Sequence, residues 1–110
     1  MKNGGWIVVD LDGTLAFYDH WRGEEHIGEP IEPMARRVRE WIARGETVKI
    51  FTARIAAYPN AVVHIHAWCK KHLGLVIPVT NIKDMSMIEL WDDRAIQIIR
   101  NTGERVDGLP

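Results

Sequence analysis

The sequence predicts one α/β domain, a Rossmann-like three-layer arrangement around a mostly parallel sheet. Three observations predict it. Short apolar runs rich in β-branched residues alternate with amphipathic stretches of helical period. That alternation makes βαβ units, whose parallel strands are joined by crossovers. Each apolar run also ends in polar residues, as the carboxyl edge of a parallel sheet does when it carries a site. At 110 residues the chain has room for one core, so a single domain spans 1–110.

Trp6-Ile7-Val8-Val9 reads as a buried strand that ends in Asp10-Leu11-Asp12-Gly13-Thr14. Residues 15–33 hold Gly23, Gly28, Pro30 and Pro33 and read as loop or irregular hairpin. Glu32-Pro33 opens a helix with proline in its first turn. Met34, Val38, Trp41 and Ile42 recur along its inner face, Arg36, Arg37, Arg39 and Glu40 face outward, and Gly45 closes it. Residues 47–51 form the second strand, leading into Thr52-Ala53-Arg54. Asn60 caps a second helix that runs to Leu73 and stops at Gly74, with Val62, Ile65 and Cys69 inward. Residues 76–79 are a third strand, placed at an edge by Pro78. Residues 87–91 are a fourth, ending at Asp92-Asp93, and residues 95–99 a short fifth. Trp41 and Trp91 read as core, and the polar, Gly-rich residues 101–110 as a flexible tail.

Composition narrows the function. Fourteen basic residues against 15 acidic give a net charge of −1, so there is no global electrostatic case for nucleic acid or an anionic membrane. Any affinity for phosphate must be local. The single Cys69 excludes an internal disulfide and a multi-cysteine zinc site, and points to a reducing compartment. No apolar run approaches the ~20 residues of a membrane helix, and Met1-Lys2-Asn3-Gly4-Gly5 lacks the apolar stretch of a leader. A soluble cytoplasmic protein with no membrane partner is expected. His64 and His66 lie two apart and face different sides of their helix, so they are not a metal pair. His20 and His26 read as loop residues, and Trp21 and Arg22 as a rim to the site.

Four polar groups follow four successive strands: Asp10 and Asp12, then Thr52 and Arg54, then Asn81, Lys83 and Asp84, then Asp92 and Asp93. In an open parallel sheet they converge on one crevice. Carboxylates gathered there repel one another and need a cation or protons. Oxygen-only ligation suits a hard ion such as Mg²⁺, which needs only one or two of the carboxylates of Asp10, Asp12, Asp92 and Asp93 beside substrate oxygens. The Thr52 hydroxyl, the Lys83 ammonium and nearby backbone N–H groups are phosphate ligands. A metal and cationic donors around a carboxylate is what phosphoryl transfer requires, because its transition state spreads charge over the equatorial oxygens.

The chain resembles the haloacid dehalogenase-like superfamily. Asp10-Leu11-Asp12-Gly13-Thr14-Leu15 matches the first motif of that family, Thr52 the second, Lys83 the third and Asp92-Asp93 the fourth, over residues 6 to about 100. Thr52-Ala53-Arg54 and Asp92-Asp93-Arg94 also look like the phosphatase domain of polynucleotide kinase-phosphatases. The resemblance implies a phosphatase in which Asp10 is the nucleophile and Asp12 the general acid and base. It further implies that the Asp12 carbonyl, Asp92 and Asp93 hold Mg²⁺. Thr52, Ala53 and Arg54 would bind the phosphoryl group, and Lys83 would offset its charge. Residues 15–33 and 54–75 are too short for the inserted cap domain of many members, so a capless enzyme is expected. Capless members act on large substrates or use a neighbouring subunit as lid, which admits a homo-oligomer. The neutral charge favours a small phosphorylated metabolite or nucleotide over polynucleotide ends. An intact pair at Asp10 and Asp12 argues against a non-catalytic phosphate-binding module.

Overall fold

In the computed structural model, residues 4–110 are described; Met1, Lys2 and Asn3, part of the stretch read above as lacking a leader, lie outside them. The elements run β1 (Trp6–Asp10), α1 (Glu32–Ala43), β2 (Thr47–Phe51), α2 (Arg54–Ala57), α3 (Ala61–Leu73), β3 (Val79–Thr80) and β4 (Met87–Trp91). The strands form one parallel sheet in the order β3-β2-β1-β4. The chain thus builds outward from β1 on one side through β2 and β3, then returns to the other side with β4. The switch in direction falls between β1 and β4, where open α/β sheets place their ligands.

Alternation along the strands separates two faces. Ile7 and Val9 lie in register with Val48 and Ile50, and all four join a single core with Met34, Ala35, Val38 and Trp41 of α1 and Ile65, Trp68, Cys69 and Leu73 of α3. Both long helices therefore cover the same face. α1 buries an apolar stripe at helical spacing and leaves Arg36 and Arg37 exposed. α3 stops at Gly74, whose φ of +87° is the left-handed conformation that terminates a helix without steric strain.

The opposite face carries Val8 in register with Lys49 and Leu90. Val8 is wholly buried, Lys49 lays its ammonium over the Trp6 ring at 3.5 Å, and Ile88 and Leu90 are exposed. No helix covers this face among the described residues. The expected third layer is a misreading, and its cause is local. Only residues 81–86 join β3 to β4, whereas a helical crossover between parallel strands takes roughly a dozen residues or more.

Two strand expectations also change. The third strand spans Val79–Thr80 and not 76–79. Pro78 has no N–H, so pairing begins with its carbonyl, which accepts the Ile50 N–H at 2.8 Å. Residues 95–99 form no strand; Ile98 makes a single antiparallel bridge to Arg105 as the chain turns back near Asn101, φ +67°. Ile96, Ile98 and Ile99 are exposed. Residues 101–110 are exposed except for a half-buried Arg105, which pairs with Asp107.

The stretch between β1 and α1 is irregular but anchored. Phe17 N–H donates to Glu29 O at 2.8 Å, and Trp68 Nε1–H of α3 donates to Gly28 O at 2.9 Å. A Cβ at Gly28 would stand 2.0 Å from Phe17 O, so only glycine allows the two chain segments to meet. Trp68→Phe keeps much of the ring's packing and removes that bond, leaving the Gly28 carbonyl without its donor. We expect a loss of about 1–3 kcal/mol, read as a lower urea midpoint at unchanged m-value.

Candidate active site at the carboxyl edge of the sheet

Asp10 is the last residue of β1, and its turn is tightly closed. Leu15 and Ala16 N–H groups both donate to Leu11 O, at 3.0 and 2.8 Å, and Leu11, Leu15 and Ala16 are wholly buried. The polar residues between them therefore face the sheet edge. Because β4 pairs with β1 up to Val9 and Trp91, Asp92 and Asp93 emerge beside Asp10. One carboxylate oxygen from each of Asp10, Asp92 and Asp93 lies within 4.8 Å of the others. Among the described residues, this is the one group with metal-holding geometry, and no histidine joins it.

Two neighbours knit this group together. The Thr14 hydroxyl lies 3.2 Å from Asp10 Oδ2 and 3.2 Å from Asp93 Oδ1, and accepts the Asp93 N–H at 3.0 Å. Its single proton can serve only one carboxylate at a time. Gly13, at φ +89°, allows the approach from below: a Cβ there would sit 2.6 Å from Asp93 Oδ2. Burial first, then the charge of Asp92 and the hydrogen bond and charge of Asp93, push the Asp10 pKa up to about 7. The donor set is all oxygen and anionic, which fits a hard divalent cation such as Mg²⁺.

Thr52 follows β2 and is buried. Its N–H donates to Thr80 O at 3.0 Å and its hydroxyl accepts the Arg54 N–H at 3.1 Å, leaving the hydroxyl proton to donate into the cleft it lines. Ala53 is exposed on the same cleft.

Arg54 lines the same cleft. Its guanidinium is buried and forks onto Asp12, with Nε to Oδ2 and Nη2 to Oδ1 both at 2.8 Å, and a third bond from Nη1 to Glu24 O at 3.3 Å. In this arrangement it holds Asp12 instead of standing free for phosphate. Trp21 packs on Arg54, 4.9 Å from ring centre to guanidinium carbon. Asp10 and Asp12 thus sit two residues apart in opposite surroundings, one among acids and one on a cation.

Asp10, Asp12, Thr52, Ala53 and Arg54 line one open cleft of about 590 Å³ together with Asp93 and Arg94. Lys83 does not. It lies exposed in the β3–β4 connection, because β3 is the outer strand, two places from β1. Three of the four expected polar groups converge and the third does not. Arg94 stands at the cleft in its place, its backbone N–H bonded to Asp92 Oδ1 at 2.7 Å. Of the expected rim, Trp21 lines this cleft, whereas Arg22 pairs with Asp19 at 2.7 Å and lines a neighbouring hollow with His20 and His26. Tyr18 and Tyr58, which carried no motif, line the main cleft.

The raised pKa of Asp10 has a consequence for stability in chelator. Between about pH 4 and pH 7 the unfolded chain ionises this carboxyl while the folded chain keeps its proton. The folded state then binds more protons, so stability falls as pH rises through that window. Asp10→Asn removes the anion and keeps the shape. We expect it to melt at higher temperature than the unsubstituted protein at pH 8, with the difference closing towards pH 4; calorimetry in EDTA checks this.

No family model, no curated protein and no solved structure matches the chain.

Proposed function

We propose that this protein is a Mg²⁺-dependent phosphomonoesterase that acts on a small phosphorylated molecule through an aspartyl-phosphate on Asp10. The observation that carries the reading is the convergence of the Asp10, Asp92 and Asp93 carboxylates beside the buried Thr52 hydroxyl, with Asp12 in the same cleft.

Asp10, Asp92, Asp93 and the Asp12 carbonyl would hold the metal. Bound there, it supplies positive charge that lets the carboxylates stay ionised together and offsets charge on the substrate's oxygens. Thr52 donates its proton to a phosphoryl oxygen, and Arg94 supplies the cationic side chain at the cleft in place of Lys83. An Asp10 oxygen attacks phosphorus, the bond to the leaving alcohol breaks, and protonated Asp12 gives its proton to the departing oxygen. Asp12 then takes a proton from water, which attacks phosphorus; inorganic phosphate leaves and Asp10 returns as carboxylate. For either transfer Asp12 must free one oxygen from the Arg54 fork. Until then Arg54 holds its carboxylate at the cleft wall. The small substrate follows from charge: with Arg54 tied to Asp12, Arg94 is the remaining arginine on the cleft, too little cation to track a polynucleotide backbone.

Asp10→Asn should lower kcat by at least ~10³-fold, the scale seen when covalent nucleophiles are removed. A variant keeping a tenth of the activity would exclude Asp10 as nucleophile. Activity should vanish in excess EDTA and return with Mg²⁺.

Asp12→Asn should slow turnover by ~10²–10⁴-fold on alkyl phosphates. Where formation of the aspartyl-phosphate limits the rate, the loss should shrink for p-nitrophenyl phosphate, whose leaving group needs little protonation. Equal losses on both would remove Asp12 from the acid role.

A further inference from the structure

Beside the acids, the cleft has a second kind of wall. Trp21, from the β1–α1 stretch, stacks on Tyr58, the residue that ends α2, with ring centres 5.2 Å apart and planes 18° apart. Each residue keeps about two-fifths of its surface exposed, Trp21 41% and Tyr58 42%, and both line the cleft that holds Asp10 and Thr52. Tyr18 lines it too, at 43% exposed. Elsewhere the large aromatic rings of Trp41 and Trp68 are buried. Rings left open at the mouth of a cleft, beside a site for a phosphoryl group, need another reason to be there.

The pair is also held in place. Arg54, fixed by its fork onto Asp12, lies against Trp21. The Tyr58 N–H donates to Arg54 O at 2.8 Å, and Ala61 N–H donates to Tyr58 O at 2.9 Å. The Trp21 ring thus rests on a guanidinium fixed to Asp12, the Tyr58 backbone is fixed on Arg54 O, and the Tyr58 ring is held by its stack on Trp21. A ligand ring meeting them encounters a wall that is already ordered, which lowers the entropy lost on stacking. At about 590 Å³ the cleft has room for more than a phosphate group.

Building on the phosphatase reading, we infer that Trp21 and Tyr58 form a stacking platform that selects phosphomonoesters carrying a flat aromatic ring, such as a nucleobase. The phosphate lies at Asp10 and Thr52 and the ring lies on the aromatic wall. This platform supplies the selectivity that a cap domain would otherwise give. A purely structural pair, packing the β1–α1 stretch onto α2, would not distinguish a ringed ligand from a ringless one.

The test uses adenosine 5′-monophosphate and ribose 5-phosphate, which share a leaving oxygen and differ by the ring. Two readouts are taken on the full chain. One is the ratio of kcat/KM for the two compounds. The other is the ratio of their dissociation constants in Mg²⁺, by calorimetry on Asp10→Asn, which needs no turnover. Each ratio should favour the nucleotide by ~10-fold or more, as stacking on aromatic side chains does. Tyr58→Ala should bring each ratio towards one, and Tyr58→Phe should preserve it. Tyr58 is the position to vary because Trp21 also packs on Arg54. Ratios near one in the unsubstituted cleft, or ratios unmoved by Tyr58→Ala, overturn the platform. Equal turnover of both compounds overturns the platform and leaves the phosphatase reading standing. Selective binding with no turnover of either upholds the platform and overturns the phosphatase reading.

Discussion

Three carboxylates held within 4.8 Å of one another repel, and the rest of the fold bears that repulsion. The parallel pairing of β1 with β4 sets the spacing, since Asp10 and Asp92 leave neighbouring strands at the same edge. Beneath them Val9 is wholly buried, and Trp91 packs against Trp41 with ring centres 5.1 Å apart. Thr14 and Gly13 then bring the β1 turn up to Asp93. Nothing in packing the core calls for this arrangement.

A second charge arrangement balances the first. Asp12 meets Arg54 in a buried, two-pronged pair, and Arg54 also bonds Glu24 O and lies against Trp21. One guanidinium thereby ties together the β1 turn, the start of α2 and the long stretch before α1. The geometry matters more than the charge here: a lysine could neutralise Asp12 but could not fork onto both oxygens while bonding a third group. Two carboxylates two residues apart thus stand in distinct surroundings, Asp12 on this guanidinium and Asp10 among acids.

Much of this was legible in the sequence, for reasons that can be named. β1 announces itself because a buried parallel strand reads as a continuous apolar run, while β2 and β4 are apolar stretches interrupted by Lys49 and Glu89; Asp10, Thr52 and Asp92 stand out because they follow those stretches at their carboxyl ends. α1 and α3 follow from apolar spacing and from Gly45 and Gly74 behind them. For Lys83 the sequence shows that it follows a strand but not where that strand sits in the sheet. The pairing of Arg54 with Asp12 spans 42 positions, beyond the reach of local pattern. Trp21 and Tyr58 carry no periodicity and meet only in three dimensions. The missing helical layer was legible, since residues 81–86 were too few to supply it, but the count matters only once β3 and β4 are known to be parallel and on opposite sides.

The short β3–β4 connection reaches beyond layer count. β4 is an outer strand that pairs only with β1, slips in register at Trp6 and Ile7, and exposes Ile88 and Leu90. It is thus an edge strand with one neighbour and an exposed face, a place where local opening can begin. Asp92 and Asp93 stand at its end, whereas Asp10 and Thr52 belong to strands at the centre of the sheet. Detachment of β4 would dismantle the carboxylate group and uncover Val9, while the core around Ile50 and Ile65 stayed closed. A ligand that binds Asp10 and Asp93 together staples the outermost strand to the innermost, so amide protons along β4 would report its arrival more sharply than any change in global melting.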